Sequence, residues 1–332
     1  PKGGVSPHTR AGVLGAAIKP DVVFEGGNVG DDGALANSNL WTMVQPTTAA
    51  DFVKRPIDWI AMTSGASANA SRFTADVWAA DLKLRPETIR GLVVHSASWT
   101  DVMKQQFAQV DERLQLCGYG VPNSTFAKGC ATERATVIVE GSMPNGLFEE
   151  VPKKKKPKKA TTKETVPRIR RRIQFFEMPV PEDLLLQQPN LPVELRLTLS
   201  YFAEPHTTGR RVERGLDLRW NMQGPMEKAD RFRRRMNKLD RTEQEKFDAS
   251  FGWEIGIARR SRGTVQSDRW RGPASLLAGS KLIAVYPVLG WWERRDSLLT
   301  LEMNFSLIVT IVAGGIDIYT PIKQAVEVTI TG

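Results

Sequence analysis

The longest alternation in the chain is Leu299, Leu301, Met303, Phe305, Leu307, Val309 and Ile311. Successive side chains of a strand point to opposite faces, so this period of two commits the segment to a sheet with two unlike sides. Val193, Leu195, Leu197, Leu199 and Tyr201 repeat the pattern, and so do Leu216, Leu218, Trp220 and Met222. Such strands, separated by turns, predict an all-β sandwich, jelly-roll-like, over residues 193–332. A basic helix, roughly Met226 to Phe247, is inserted among them.

The first third follows a different rule. Ile18 to Phe24 reads as a short buried strand, entered at Pro20 and left at Gly26-Gly27. Helices are predicted over Ser64–Ala80, from Pro86 with Ile89, Leu92, Val93 and Ser96 on one face, and over Trp99–Val110 with Thr100 as cap. Helices around a strand make residues 1–135 an α/β unit. Residues 136–192 form a connecting segment, in which a strand begins at Thr136 and a Lys-rich loop follows.

Within the α/β unit, Met62-Thr63-Ser64-Gly65-Ala66-Ser67-Ala68-Asn69-Ala70-Ser71 is a run of small residues that opens a helix. Small side chains let a substrate backbone come close, and a helix start has free N–H groups and the positive end of the macrodipole. That is where an oxyanion would be stabilised. The plainer alternative is an ordinary N-terminal cap.

Thr63-Ser64 followed by Ala66-Ser67 resembles the nucleophile segment of subtilisin-like serine proteases (peptidase family S8). Ile18-Lys19-Pro20-Asp21-Val22-Val23 with Gly26 resembles that family's Lys-Pro-Asp strand, and Ser6 to Arg10 the segment before it. Pro86 to Ala97 is similar to the next helix, and Gly118-Tyr119-Gly120 to a turn near the end of the catalytic domain. A divergent bacterial branch, found beside an AAA-type ATPase in anti-phage loci, is similar also over Leu197 to Phe202, Ile283 to Pro287, Trp291-Trp292 and Leu307 to Val309.

The resemblance implies that residues 1–135 are the C-terminal part of a parallel-sheet catalytic domain, with Ser64 as nucleophile and its N–H as one oxyanion donor. Thr63 shapes the nucleophile turn, and Gly26, Gly27 and Asn28 either line the same cleft or serve only as turn residues. The family's Asp, His and oxyanion Asn precede the Ser, and the residues before Ser64 are too few to hold them all. With Pro1 at its start, the chain reads as a fragment beginning inside the catalytic domain. The family pattern also breaks at Met62, usually glycine, and at Ala68 and Asn69, usually Pro and its neighbour. A non-catalytic interaction protein on a degenerate subtilase scaffold is therefore the alternative function.

The three histidines are given other work: His95 packs or caps, and His8 and His206 sit in loops. Asp31 and Asp32 are adjacent carboxylates without a ligand ladder, and Cys117 and Cys130 have no metal-like spacing. No metal or other cofactor is expected. The net charge of +9 is concentrated in six lysines within Lys153–Lys159, in four arginines within Arg168–Arg172, and around Arg231, Arg233, Arg234, Arg235, Lys238 and Arg241. No aromatic platform interleaves the lysines, so nucleic acid is not the expected partner. A protein or peptide substrate is expected, and an AAA-type ATPase partner on the resemblance alone. No apolar run reaches the roughly 18 residues of a membrane span, and two cysteines fit a reducing cytoplasm.

Overall fold

The computed structural model describes residues 2–13, 17–31, 36–37, 41–129, 133–145, 147–152, 165–170, 172–205, 214–238, 252–294, 298 and 301–331. The Lys153–Lys159 loop, Cys130 and His206 lie outside them. Two small ribbons come first, β1 (Gly30–Asp31) with β2 (Ala36–Asn37) and β3 (Gln45–Thr48) with β4 (Ile57–Ile60). Helices α1 (Met62–Ala80), α2 (Pro86–His95), α3 (Asp101–Gln106), α4 (Val110–Cys117) and α5 (Ser124–Lys128) follow. Strands β5 (Arg134–Pro144), β6 (Leu147–Pro152), β7 (Thr165–Arg170) and β8 (Gln174–Glu177) lead to helix α6 (Glu182–Gln187). The last part carries β9 (Pro192–Tyr201), β10 (Leu216–Met222), helix α7 (Ala229–Lys238), β11 (Val265–Pro273), β12 (Leu282–Leu289) and β13 (Glu302–Ala313).

The chain is thus a mixture of helices and antiparallel sheets. A four-stranded sheet runs β11-β9-β13-β5 and a three-stranded sheet runs β10-β12-β8. Their apolar faces supply a single cluster that holds Leu195, Leu197, Leu199, Leu307 and Val309 from one sheet and Leu218, Trp220, Ile283 and Val285 from the other. Burial of apolar area is worth about 25 cal/mol per Å2, and this is the most populous apolar cluster among the described residues. On the far side of the three-stranded sheet, Phe232 and Met236 of α7 pack on Phe175, Ala284 and Tyr286.

The other face of the four-stranded sheet is not wet. Thr198, Ser200, Ser306 and Thr310 are the polar partners in the alternation, and all four are fully buried. Helix α2 covers them. Gly91 makes the close approach: a Cβ there would stand 2.7 Å from Ile308 Cδ1 and 3.2 Å from Ser200 Cβ. His95, the last residue of α2, bonds Thr198 Oγ1 through Nδ1 (2.8 Å) and Thr310 Oγ1 through Nε2 (2.7 Å). Thr310 continues to Thr136 on β5, and Thr198 donates to Ser267 on β11, so one hydroxyl chain ties all four strands to the helix. The carbonyls at the end of α2 accept from Arg196 (to His95 and Ala97) and from Arg269 (to Ala97), cations at the negative end of the dipole.

Two predictions need correction. Ile18–Phe24 is not a strand, and among the described residues no ladder is parallel, so the expected parallel sheet is not part of the described structure. A ladder needs a partner presenting matched N–H and C=O groups. Here the segment is tied to the turn at 119–120, with Tyr119 N–H donating to Asp21 C=O and Val23 N–H to Gly120 C=O. Of the single helix predicted over Trp99–Val110 only Asp101–Gln106 is helical, and a second helix, α4, begins at Val110. α3 stops at Phe107, whose backbone is extended and whose ring packs into the cluster of Trp99, Met103 and Leu114. Thr100 does cap α3, accepting from Met103 N–H. Among the described residues no helix is long and apolar enough to cross a membrane.

Candidate active site

Ser64 is the third residue of α1 and is exposed. Ala61 precedes the helix with an extended backbone and gives no side-chain cap, and the first turn carries no acidic residue. The first N–H groups of a helix have no partner within it, so this end keeps both its free donors and its positive partial charge. Small neighbours leave it open: Gly65 is buried beneath the turn, and Thr63, Ser67 and Ala68 are exposed around it. Ser67 Oγ donates to the Thr63 carbonyl at 2.8 Å, an ordinary bond back to the preceding turn.

The loop at Glu25 to Asn28 lies against this helix start. The Glu25 carbonyl accepts from Gln45 Nε2 at 2.7 Å and from Asn69 Nδ2 at 2.9 Å, which fastens the loop to β3 and α1 together. A Cβ on Gly26 would come 2.5 Å from the Met62 carbonyl, so only glycine lets the chains approach this closely. Gly27 has φ +88, and a Cβ there would meet the Met43 carbonyl at 2.6 Å. Asn28 N–H donates to that same carbonyl at 3.0 Å. Thr63, Ser64, Gly26 and Gly27 are therefore brought together at one turn, with Asn28 one step further along the loop.

Sequence reasoning missed the residues that hold the loop. Gln45 carries no motif signal, and Asn69 stood out only as a departure from the family pattern. Its amide turns out to anchor Glu25.

Met62 has φ +68, the left-handed region, and its side chain is exposed. A residue with a Cβ is strained there by roughly 1–2 kcal/mol. Glycine escapes that strain but loses about 0.5–1 kcal/mol through its freer unfolded chain. Met62→Gly is therefore expected to raise stability by up to about 1 kcal/mol, and Met62→Ala to raise it not at all. Urea midpoints of the three proteins check this, and a glycine variant weaker than the alanine one would refute it.

No described histidine reaches the serine by a hydrogen bond. His95 is enclosed between Thr198 and Thr310, and burial, reinforced by Arg196, Arg269 and Arg134, pushes its pKa well below the ordinary histidine value. It is a neutral packing residue. His8 has a backbone N–H that donates to Ser6 Oγ, and its Nε2 is buried without a partner among the described residues. Neither a histidine nor a carboxylate hydrogen-bonds Ser64 Oγ among the described residues. Cys117 is buried, with its thiol pushed up to about 11, so it offers no thiolate at neutral pH. Among the described residues no group of three His, Cys, Asp or Glu side chains could hold a metal ion.

What this arrangement can do is present a serine hydroxyl beside uncapped backbone donors, on an open turn. No curated protein matches the chain. The model of the subtilase family matches residues 1–120, so the segment that holds the Ser64 turn, the Glu25–Asn28 loop and helices α1 to α4 is similar to that family of serine peptidases.

Proposed function

We propose that the protein is a subtilisin-like serine endopeptidase and that Ser64 is its nucleophile. One observation carries this: within the stretch similar to subtilases, Ser64 stands exposed in the uncapped first turn of α1. Ser64 Oγ attacks the scissile carbonyl, and its own N–H donates to the oxygen that becomes negative. The acyl-enzyme then forms as the amine leaves, and water releases the acid. A histidine oriented by an aspartate, both contributed from outside residues 1–332, takes the serine proton, and an asparagine from the same source gives the second oxyanion donor. Thr63 sets the turn, and Gly26, Gly27 and Asn28 border the cleft. On this reading the residues after 192 form a supporting or partner-recruiting β-sandwich. The wider setting is a bacterial cytoplasm, an AAA-type ATPase partner and anti-phage defence.

A second reading is favoured by a different observation. Among the described residues Ser64 has no base, and Met62 occupies a left-handed position. A non-catalytic interaction protein on the same scaffold would look like this.

A fluorophosphonate probe separates the two. Applied to the protein as its gene encodes it, the probe is expected to label the parent and to leave Ser64→Ala unlabelled. Peptidase turnover is expected to fall about 10^6-fold in that variant, as for other lost serine nucleophiles. Absence of label on the folded parent, with its ATPase partner present, would favour the non-catalytic reading.

A further inference from the structure

Between the second half of α1 and α2 lies a cavity of about 330 Å3. Its walls are apolar apart from Asp21, Thr74 and Arg90, and three aromatic rings, Phe24, Trp78 and Phe202, border it. Pockets of this volume, apolar with a few convergent polar groups, are the usual form of a small-ligand site. Trp78 and Phe202 are 39% and 52% exposed, large aromatic surface left in water at the rim of a cavity.

The polar groups are unequal. Thr74 Oγ1 is already spent on the Ala70 carbonyl at 2.8 Å. Asp21, which lines the cavity beside Arg90, is paired at 2.7 Å with Lys19 outside it and stands 3.5 Å from Arg90, so its charge is met first by Lys19. Arg90 is held in place by Thr264 Oγ1 (2.8 Å) and the Tyr201 carbonyl (3.4 Å), both on Nη1, and its distance to Asp21 is too long for a strong pair. Its Nε–H and part of Nη2 are left for another acceptor. A guanidinium fixed in this way pairs with a planar carboxylate through two parallel bonds.

We propose that this cavity binds the free C-terminal residue of a peptide, with an aromatic or branched apolar side chain between Phe24, Trp78 and Phe202 and its carboxylate on Arg90. The ring-lined walls favour a compact aromatic body, through edge and face contacts, over a long flexible alkyl chain. The site is separate from Ser64. Its nearest wall on α1, Ala70, lies six residues beyond Ser64, about 9 Å of helix axis at 1.5 Å per residue, and Thr74 and Trp78 lie further still. The inference therefore stands whether or not Ser64 is a nucleophile.

Saturation-transfer NMR and calorimetry on the full chain test it, with N-acetyl-phenylalanine, its neutral amide and hexanoate as probes. The acid is expected to bind saturably in the millimolar range or better. The amide is expected to bind at least about tenfold more weakly, since one charge-assisted pair is lost. Hexanoate is expected to bind more weakly than the acid. Ala70→Phe places a ring in the cavity while leaving Arg90 in the sequence, and is expected to abolish binding while the melting curve stays cooperative. Equal affinity for acid and amide, hexanoate binding as tight as the acid, no saturable binding, or binding that survives in folded Ala70→Phe would each overturn the proposal. Should that variant fail to fold, the three probes on the parent chain decide alone.

Discussion

Replacing Arg260 with methionine is expected to destabilise the protein by about 3–5 kcal/mol, the cost of leaving one partner of a buried ion pair unmatched. Arg260 and Asp268 are both almost wholly buried, and Nη1 of Arg260 donates to Asp268 Oδ2 at 3.0 Å. The guanidinium also lies 3.7 Å from the centre of the Trp220 ring, a stacked cation within the sheet core. Asp268 does more than pair. It accepts from the backbone N–H groups of Ile255 (2.8 Å), Gly256 (2.8 Å) and Arg269 (2.9 Å), and so holds the 255–256 turn against β11. Burial pushes its carboxyl up, while Arg260 and those three donors pull it back.

Methionine keeps most of the volume and removes the charge. The carboxyl in the variant is then raised further in the folded state, above its unfolded value near 3.9. A raised folded pKa gives a contribution that is full below the unfolded pKa and is lost as pH rises through the folded one. The deficit of Arg260→Met should therefore be smallest near pH 4 and grow towards neutrality. Urea denaturation at several pH values measures it. A loss below about 1 kcal/mol, constant with pH, would show that the pair contributes little.

The second large effect is on pH dependence. His95 is neutral in the folded protein because burial and the neighbouring arginines depress its pKa. In the unfolded chain it titrates near 6.5. Above that value both states are neutral and there is no penalty. As pH falls below it the unfolded chain takes up a proton that the folded chain refuses, and stability is lost by up to about 1.4 kcal/mol per pH unit, down to the depressed folded pKa. His95→Gln can still meet Thr198 and Thr310 but cannot titrate. It is expected to lose some stability at pH 8 and to show a flatter profile between pH 6.5 and 5. If the two profiles stay parallel in that window, His95 is not the titrating group.

The sequence was most legible where a single local rule decides. Alternation of apolar residues located β9, β10 and β13, and the cap signals at Thr100 and Pro86 located the starts of α3 and α2. The small-residue run located the opening of α1 and, with it, Ser64. The candidate site was legible in that one turn and in Gly26-Gly27, because close backbone approach admits only small residues. It was not legible in Gln45 or Asn69, whose work is a single side-chain bond to a carbonyl distant in the chain.

By itself, then, the sequence determined that the segments of β9, β10 and β13 are strands with two unlike faces, and where α1, α2 and α3 begin. Only the tertiary structure decided what those faces meet. Thr198 and Thr310 alternate with leucine and valine just as solvent-facing residues do, yet α2 buries them and His95 satisfies them. Periodicity reports a difference in polarity, not the presence of water: on this buried face the hydroxyls of Thr198 and Thr310 find partners, while those of Ser200 and Ser306 have none among the described residues. Ile18–Phe24 makes the converse point. Its composition is that of a strand, but a ladder is a property of two segments, and the tie this segment makes is to the turn at 119–120.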